Sequence, residues 1–208
     1  MVKKHYKKHR TPFIHDTYQL ANELRIFRKD VFKLSKNVRK HYNLIMLRKK
    51  NGGLRYIHSP DTSLKNVQRR ILKSILSNIK ISPYATAYVT GINLKDNATP
   101  HINHKYLLKM DITDFFGSIT YLQVISSAFN ANRFPVQIGA ILTSLCCLDD
   151  VLPQGAPTSP ALSNIVMKNF DDIFLFNRIN RVKKRQQREI MPIPPKEASH
   201  RSPKRTTE

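Results

Sequence analysis

The stretch Val151–Pro160, VLPQGAPTSP, leaves its backbone little conformational freedom. Its three prolines each fix φ, and Gly155 is one of only six glycines in 208 residues. A glycine removes the side chain where a backbone must come close to another group, so Gly155 predicts a close approach to a ligand. Gln154 is then presented from a rigid turn, where its amide can bond a sugar or a base edge. A proline-rich helix start capped by Thr158 or Ser159 is compatible with this pattern but does not explain Gln154 and Gly155.

The charge balance indicates the class of partner. The chain has 36 Lys and Arg against 14 Asp and Glu, a net charge of +22. Such a surplus favours a polyanion, nucleic acid before an anionic membrane. A structural basic protein, or basic tails on an ordinary domain, would give the same number.

Other global features favour a cytoplasmic protein. The apolar runs are shorter than the roughly 20 residues that span a bilayer, and the N-terminus lacks the apolar segment of a signal peptide. Cys146 and Cys147 are adjacent, which disfavours an unstrained disulfide between them. No zinc-ligand spacing is present. We therefore expect reduced, buried thiols and no membrane partner.

Apolar periodicity predicts helices and strands in one chain. Asn51-Gly52 is a strong hairpin signal between two short apolar runs. From about Arg178 the sequence is basic and poor in aliphatic residues, which predicts disorder. The predicted elements are a helix from Asp16 through Leu34, a hairpin over 43–60, a helix over 63–79, a strand opening 105–119, and helices over 121–130, 135–148 and 161–176.

Asp111 follows an apolar run and precedes Asp114, Phe115 and Phe116. A carboxylate at the end of a buried strand is well placed for Mg²⁺, which is typically held by one or two carboxylates plus substrate phosphates. A turn-capping role for Asp111 is the alternative. Taken by itself, this string favours the alternative.

Cations bracket the hairpin turn at Arg48, Lys49, Lys50 and Arg55. Such side chains suit a triphosphate or a backbone phosphate. A solvated charged turn is an equally good interpretation of this segment alone.

Taken in order, KKNGGLRY, DITDFF and LPQGAPTSP followed by a helix resemble the reverse transcriptases, and the bacterial retron type in particular. NATPH at 97–101 matches the NAxxH signature of retron enzymes. The resemblance covers roughly residues 40–172. It implies an α+β right-hand fold with fingers, an incomplete palm with an antiparallel sheet, and no thumb. The implied divisions are a disordered basic arm (1–15), an N-terminal helix and fingers (16–104), a partial palm (105–176) and a disordered basic tail (177–208).

The resemblance also implies roles for the aspartate motif. Asp111 would be a catalytic metal ligand together with the main-chain carbonyl of Ile112. Asp114 would lie near the phosphates of the incoming nucleotide. Phe116 would lie under the sugar and exclude a ribose 2′-OH. The implied reaction is two-metal nucleotidyl transfer, with Mg²⁺ ions about 3.5–4 Å apart.

The remaining implied roles concern nucleotide binding. Gln154 and Gly155 would line the nucleotide and template pocket, and Lys50 and Arg55 would neutralise the triphosphate. The implied partners are dNTPs and a structured RNA that serves as template and primer. The implied location is the bacterial cytoplasm.

The pattern departs from the family in its remaining carboxylates, because no YxDD motif occurs in the 208 residues. Phe170-Asp171-Asp172 imitates that motif but follows a helical repeat, so we interpret it as a solvent-facing helical pair. Asp149-Asp150 is interpreted as a turn. We expect a sequence truncated before YxDD, inactive alone, poorly soluble without a partner, and in need of a complementing palm and thumb fragment. The alternative is a non-catalytic RNA-binding fragment.

Overall fold

The computed structural model describes Pro12 and residues 14–48, 52–102 and 109–190, with side chains described as far as Phe174. Within this part the chain combines α-helices with one two-stranded antiparallel sheet. The mixed helix-and-strand class predicted from the sequence is therefore confirmed.

The N-terminal segment forms two helices where the periodicity predicted one. Helix α1 (Thr17–Leu24) begins at Asp16, whose carboxylate accepts from the Gln19 amide at 2.8 Å. It ends at Arg25, which adopts a left-handed conformation with φ 51°. Helix α2 (Arg28–Lys36) follows after this break. The apolar spacing continues across the break because both helices bury their apolar faces in one core, through residues such as Leu24 and Val31.

The predicted hairpin is present. Strand β1 (Tyr42–Arg48) pairs antiparallel with β2 (Leu54–Pro60), and Met46 lies opposite Tyr56. Residues 49–51 of the turn lie outside the described residues.

The predicted helix over 63–79 is present as α3 (Thr62–Arg70), a π turn (Ile71–Ile75) and a 3₁₀ turn (Leu76–Asn78). Its buried Gln68 donates to the Tyr42 hydroxyl at 2.8 Å and to the Leu145 carbonyl at 2.9 Å. One amide thereby ties the hairpin and a later helix to α3. A short helix α4 (Leu94–Ala98) follows, with Asn93 and Asp96 forming a capping box.

In the described part of the second half, three helices cover the predicted positions, and the last one extends past its predicted end. They are α5 (Tyr121–Ser127), α6 (Val136–Cys146) and α7 (Ser159–Ile190). Helix α6 packs against α2, α3 and α5. Both cysteines are free and buried as expected, and burial raises the pKa of the Cys147 thiol to about 12.

The expected strand before Asp111 is not seen in the described residues. Residues 103–108 lie outside them, and 109–112 are irregular, with Met110 61% and Ile112 47% exposed. A strand needs paired neighbours, and none pairs with 109–112 in the part of the chain that the structure describes. In the region expected to form the palm sheet, isolated bridges join Thr120 to Val151 and Leu148 to Val151.

The chain divides into two compact units, Met1–Asp172 and Ile173–Glu208. In the second unit the backbone is helical as far as Ile190, beyond the point at which disorder was predicted. Residues 191–208 lie outside the described residues. None of the helices in the described part is long and apolar enough to cross a membrane.

Candidate functional site

The LPQG turn docks on the hairpin through its main chain. The amide of His58 on β2 donates to the Gln154 carbonyl at 2.9 Å. Gly155, with φ +115°, lies so close to β2 that an added Cβ would be 2.7 Å from the His58 carbonyl oxygen and 2.8 Å from Ile57 Cγ2. Gly155 therefore has a close neighbour, but not the ligand that the sequence predicted. In this structure the approaching group is the chain's own strand rather than a ligand.

The segment before the LPQG turn is held by the residues that follow the aspartate motif. The amide of Leu152 donates to the Ile119 carbonyl at 3.0 Å, and the amide of Tyr121 donates to the Asp150 carbonyl at 2.7 Å. Three segments distant in sequence thus meet through main-chain hydrogen bonds. They are the hairpin, residues 119–121 and residues 150–155.

The predicted turn at Asp149-Asp150 is confirmed. Both residues have positive φ, 50° and 62°, and the amides of Leu148 and Val151 each donate to the other residue's carbonyl at 2.9 and 3.1 Å. Two consecutive left-handed residues match the right-handed twist of the flanking segments, and aspartate tolerates that conformation better than most residues. The Asp149 carboxylate also pairs with Arg39.

The two carboxylates of the aspartate motif lie in an exposed loop. The Asp111 carboxylate accepts from the next amide, that of Ile112, at 3.1 Å. Asp114 has φ 46°, and its carboxylate lies over Gly117, where an added Cβ would be 2.2 Å from Oδ2. Both side chains are open to solvent, and the glycine leaves room for the second one.

Phe116 is half-buried and packs against the hydrophobic core beside Phe115, with ring centroids 5.4 Å apart. A core contact fixes the ring, and its remaining surface is accessible. Gln154 is also half-buried, and none of the side-chain hydrogen bonds found among the described residues involves its side-chain amide.

Of the predicted hairpin cations, Arg55 is exposed on β2 opposite Leu47. Lys49 and Lys50 lie outside the described residues. No hydrogen bond joins Asp111 or Asp114 to Gln154 in the part that the structure describes.

Comparison with known proteins identifies the family. Residues 47–180 match the family described as Reverse transcriptase (RNA-dependent DNA polymerase), which is more than half of the chain. The chain belongs to the reverse transcriptase family.

The relatives of this reverse transcriptase chain include retron enzymes, in agreement with a retron-type member. It is 35% identical to the Retron Mx65 reverse transcriptase of Myxococcus xanthus over 149 residues, covering 64% of this chain and 35% of the relative. It is 36% identical to the Retron Ec86 reverse transcriptase of Escherichia coli over 118 residues, covering 57% of this chain and 37% of the relative. It is 34% identical to the Retron Ec83 reverse transcriptase of Escherichia coli over 142 residues, covering 64% of this chain and 45% of the relative. The chain thus spans less than half the length of these curated relatives.

The retron-like motif NATPH lies in α4 and the 3₁₀ turn after it. The Asn97 side-chain oxygen accepts from the Thr86 hydroxyl at 2.7 Å, and the Thr99 hydroxyl donates to the Lys95 carbonyl at 2.7 Å. Asn97 borders an open cavity of about 700 Å³ together with Tyr88. His101 is exposed.

The Asp171-Asp172 pair of this reverse transcriptase chain is helical, as predicted, but it is half-buried rather than fully solvent-facing. Asp172 accepts from Lys168 and, at 2.7 Å, from the Ser82 hydroxyl, and these hydrogen bonds lower its pKa. Burial and the neighbouring Asp172 charge raise the pKa of Asp171. The pair is less exposed than predicted because the side of α7 that carries Asp172 contacts Ser82.

His58 and Ile119 position the site through their backbones, and neither was singled out from the sequence. No side-chain signal could have identified them, because a main-chain donor or acceptor is common to every non-proline residue. The alternation of β2 places the His58 amide at one edge of the strand, but the partner comes from a distant segment.

Proposed function

We propose that this chain supplies the fingers and the nucleotide-binding part of the palm of a retron-type RNA-directed DNA polymerase. The proposal rests chiefly on the docking of the LPQG turn onto β2, with the same turn bonded to the segment after the aspartate motif. Residues a few positions after KKNGGLRY and after DITDFF are thereby hydrogen-bonded to the LPQG motif. Residues 16–104 would form the N-terminal helices and fingers and 105–176 part of the palm, with 1–15 as a basic arm and 177–208 as a basic tail.

Nucleotide binding is assigned to four side chains, of which those of Gln154 and Phe116 are half-buried and that of Arg55 is exposed. The Gln154 amide lines the nucleotide and template pocket, beside Gly155. Phe116, fixed by the core on one side, lies under the sugar. Arg55, with Lys50, neutralises the triphosphate, for which a guanidinium fork is well suited.

The residues present fit one kind of Mg²⁺ site. No group of three or more His, Cys, Asp or Glu side chains in the described part is arranged to hold a metal ion. Asp111 and the Ile112 carbonyl therefore fit a Mg²⁺ shared with nucleotide phosphates, and not one held by protein alone. The bound ion would neutralise charge on the transferring phosphate, and Asp114 would lie close to the same phosphates.

Two-metal transfer needs more carboxylates than these. Because YxDD is absent from the 208 residues, we expect this polypeptide alone to bind primed RNA and dNTPs without extending the primer. Extension is expected once a second polypeptide supplies the remaining palm and the thumb. Primer extension on an RNA template with Mg²⁺ tests both statements, and DNA synthesis by the chain alone would refute the first.

Asp111 separates catalysis from binding. Asp111→Asn is expected to abolish Mg²⁺-dependent dNTP binding and any complemented synthesis, because it removes the charged metal ligand. RNA affinity should stay nearly unchanged. Glu23→Gln is the matched control, since it removes one carboxylate from α1. If Asp111→Asn and Glu23→Gln bind dNTPs equally well, Asp111 is not a metal ligand.

The second candidate is a non-catalytic RNA-binding module. It is favoured by the net charge of +22 together with the lack of a metal-binding cluster in the described residues. Under this function RNA binds without any Mg²⁺-dependent dNTP binding, and Asp111→Asn changes neither measurement.

A further inference from the structure

A second basic site is a cavity of about 380 Å³ that shares no lining residue with the LPQG turn. It is bordered by the end of α1, helix α2, His41 and helix α3. Arg25, Lys33 and Arg70 contribute three cations to its lining. Asp30 is the only acid among the described lining residues, and Ser63 adds a hydroxyl. The cavity is thus a small, predominantly cationic recess in a three-helix frame.

Within the described residues, no ion pair neutralises these three cations. The ion pairs found there join Arg39 with Asp149, Lys168 with Asp172, and His41 with Asp61. Of these six residues only His41 lines the cavity. Like charges that surround one recess repel one another, and an anion bound between them relieves that repulsion.

Arg25 is also held in a backbone conformation that disfavours arginine. It is the C-cap of α1 with φ 51° and ψ 45°, and its amide donates to the Ala21 and Asn22 carbonyls. Glycine fills such left-handed caps at lower free energy. The residue in this conformation is also one of the three cations that line the cavity.

We propose that this cavity binds a phosphate group of a single-stranded nucleic-acid backbone, as a contact separate from the nucleotide site. Guanidinium groups bind phosphate oxygens in a bidentate fashion, and lysine adds a point charge. The volume lies within the range of ligand sites. The net charge of +22 favours a polymer of phosphates over a single small anion. The inference shares with the proposed function only the premise that the chain binds nucleic acid.

The test uses the full chain and a labelled 20-nucleotide oligo-U RNA, with affinity measured by fluorescence anisotropy over a series of KCl concentrations. The double variant Arg25→Gly, Lys33→Ala removes one arginine and one lysine from the cavity. The matched control Lys36→Ala, Arg69→Ala removes the same charges from exposed positions on α2 and α3 that do not line it.

Affinity falls with salt, and one lost phosphate contact should make the slope of log affinity against log salt shallower by about 0.7. We therefore expect the cavity variant to show that drop and about a tenfold weaker affinity at low salt, with a smaller effect in the control. Arg25→Gly alone should melt at the same or a higher temperature than the parent, so weaker binding cannot be attributed to unfolding.

Equal slopes for the cavity and control variants would overturn the inference. An unchanged RNA slope, combined with inorganic phosphate binding that the cavity variant loses, would assign the cavity to free phosphate and overturn the nucleic-acid source. RNA binding by the parent together with equal slopes leaves the proposed function intact. A parent chain that binds no RNA at any salt concentration would overturn both.

Discussion

At Gly155, two separate requirements exclude a side chain. Its φ of +115° lies in a region that L residues rarely adopt, and a Cβ there would overlap the His58 carbonyl. Gly91 meets only the first requirement, since its φ is +80° and nothing lies within 4 Å of the Cβ position. Alanine substitutions at these two glycines therefore distinguish the cost of backbone strain from the cost of losing the contact between the LPQG turn and β2.

Gly155→Ala is expected to lower the free energy of unfolding by roughly 2–3 kcal/mol, and Gly91→Ala by about 1 kcal/mol. The excess at Gly155 reflects the displaced contact with β2. Urea unfolding of both variants measures the difference. Equal losses would mean that the turn moves off the strand at no cost.

The sequence predicts that a group approaches Gly155, because a lone glycine between prolines in a glycine-poor chain is typical of a backbone that another group must reach closely. The expected group was a ligand, whereas the structure has strand β2 there. The partner is a main-chain carbonyl of a strand far away in sequence, and backbone atoms carry no residue-specific signal. The Asp111, Phe116 and Gln154 assignments come from family resemblance and remain predictions.

At the scale of elements, the start of α3 joins the hairpin to the helix. The Asp61 carboxylate accepts from the Leu64 amide at 2.9 Å, from the Ser63 hydroxyl at 2.7 Å and lies 2.7 Å from His41 Nδ1. Its own amide donates to the His41 carbonyl at 2.7 Å. Partial burial by itself raises the pKa of Asp61, but these hydrogen bonds outweigh that effect and the pKa is lowered.

This lowered pKa makes part of the stability pH-dependent. With a folded-state pKa below the ordinary 3.8, the folded chain binds fewer protons than the unfolded chain in that interval. The stabilisation is complete above pH 3.8 and is lost as the pH falls through the folded pKa. Asp61→Asn preserves the cap but not the charge. Denaturation from pH 6 downward should show the parent more stable near neutrality, with a difference that shrinks below about pH 3.8. A difference that is constant over this range would contradict the role of the charge.

Elements with local signals were predictable, and elements that depend on distant partners were not. The hairpin follows from Asn-Gly between apolar runs, and α3, α5 and α6 follow from their repeats. The break at Arg25 was missed because arginine gives no signal for a left-handed cap. The strand expected before Asp111 requires neighbours that the described residues do not provide.

At the scale of the whole molecule, the hairpin presents an apolar face to solvent. Leu44, Met46, Leu54 and Tyr56 share one side of the sheet and are between 48% and 63% exposed. Contiguous apolar surface of this kind marks an interaction site or promotes association. Limited solubility, which the sequence predicts, would have a physical origin in this face.

Leu44→Thr combined with Met46→Thr is expected to reduce concentration-dependent self-association, because threonine keeps β-propensity while removing apolar area. Light scattering or sedimentation velocity measures the effect. Leu94→Thr with Leu122→Thr is the control, since these leucines are 87% and 73% exposed outside the sheet. If both pairs lower association equally, the hairpin face has no special part in it.

The hydrogen bond from His58 to Gln154 has a mechanical consequence. Because the carbonyl of Gln154 is hydrogen-bonded to β2, its peptide group cannot rotate independently of the hairpin. The twist of the hairpin therefore helps to set the orientation of the Gln154 side chain. Substitutions in β1 and β2 should therefore change the affinity of any ligand that Gln154 contacts, even where the ligand does not touch the hairpin. Under the proposed nucleotide-binding role of Gln154, ligand selectivity would depend on both the hairpin and the LPQG turn. A library that randomises the turn alone would then leave the contribution of the hairpin unexplored.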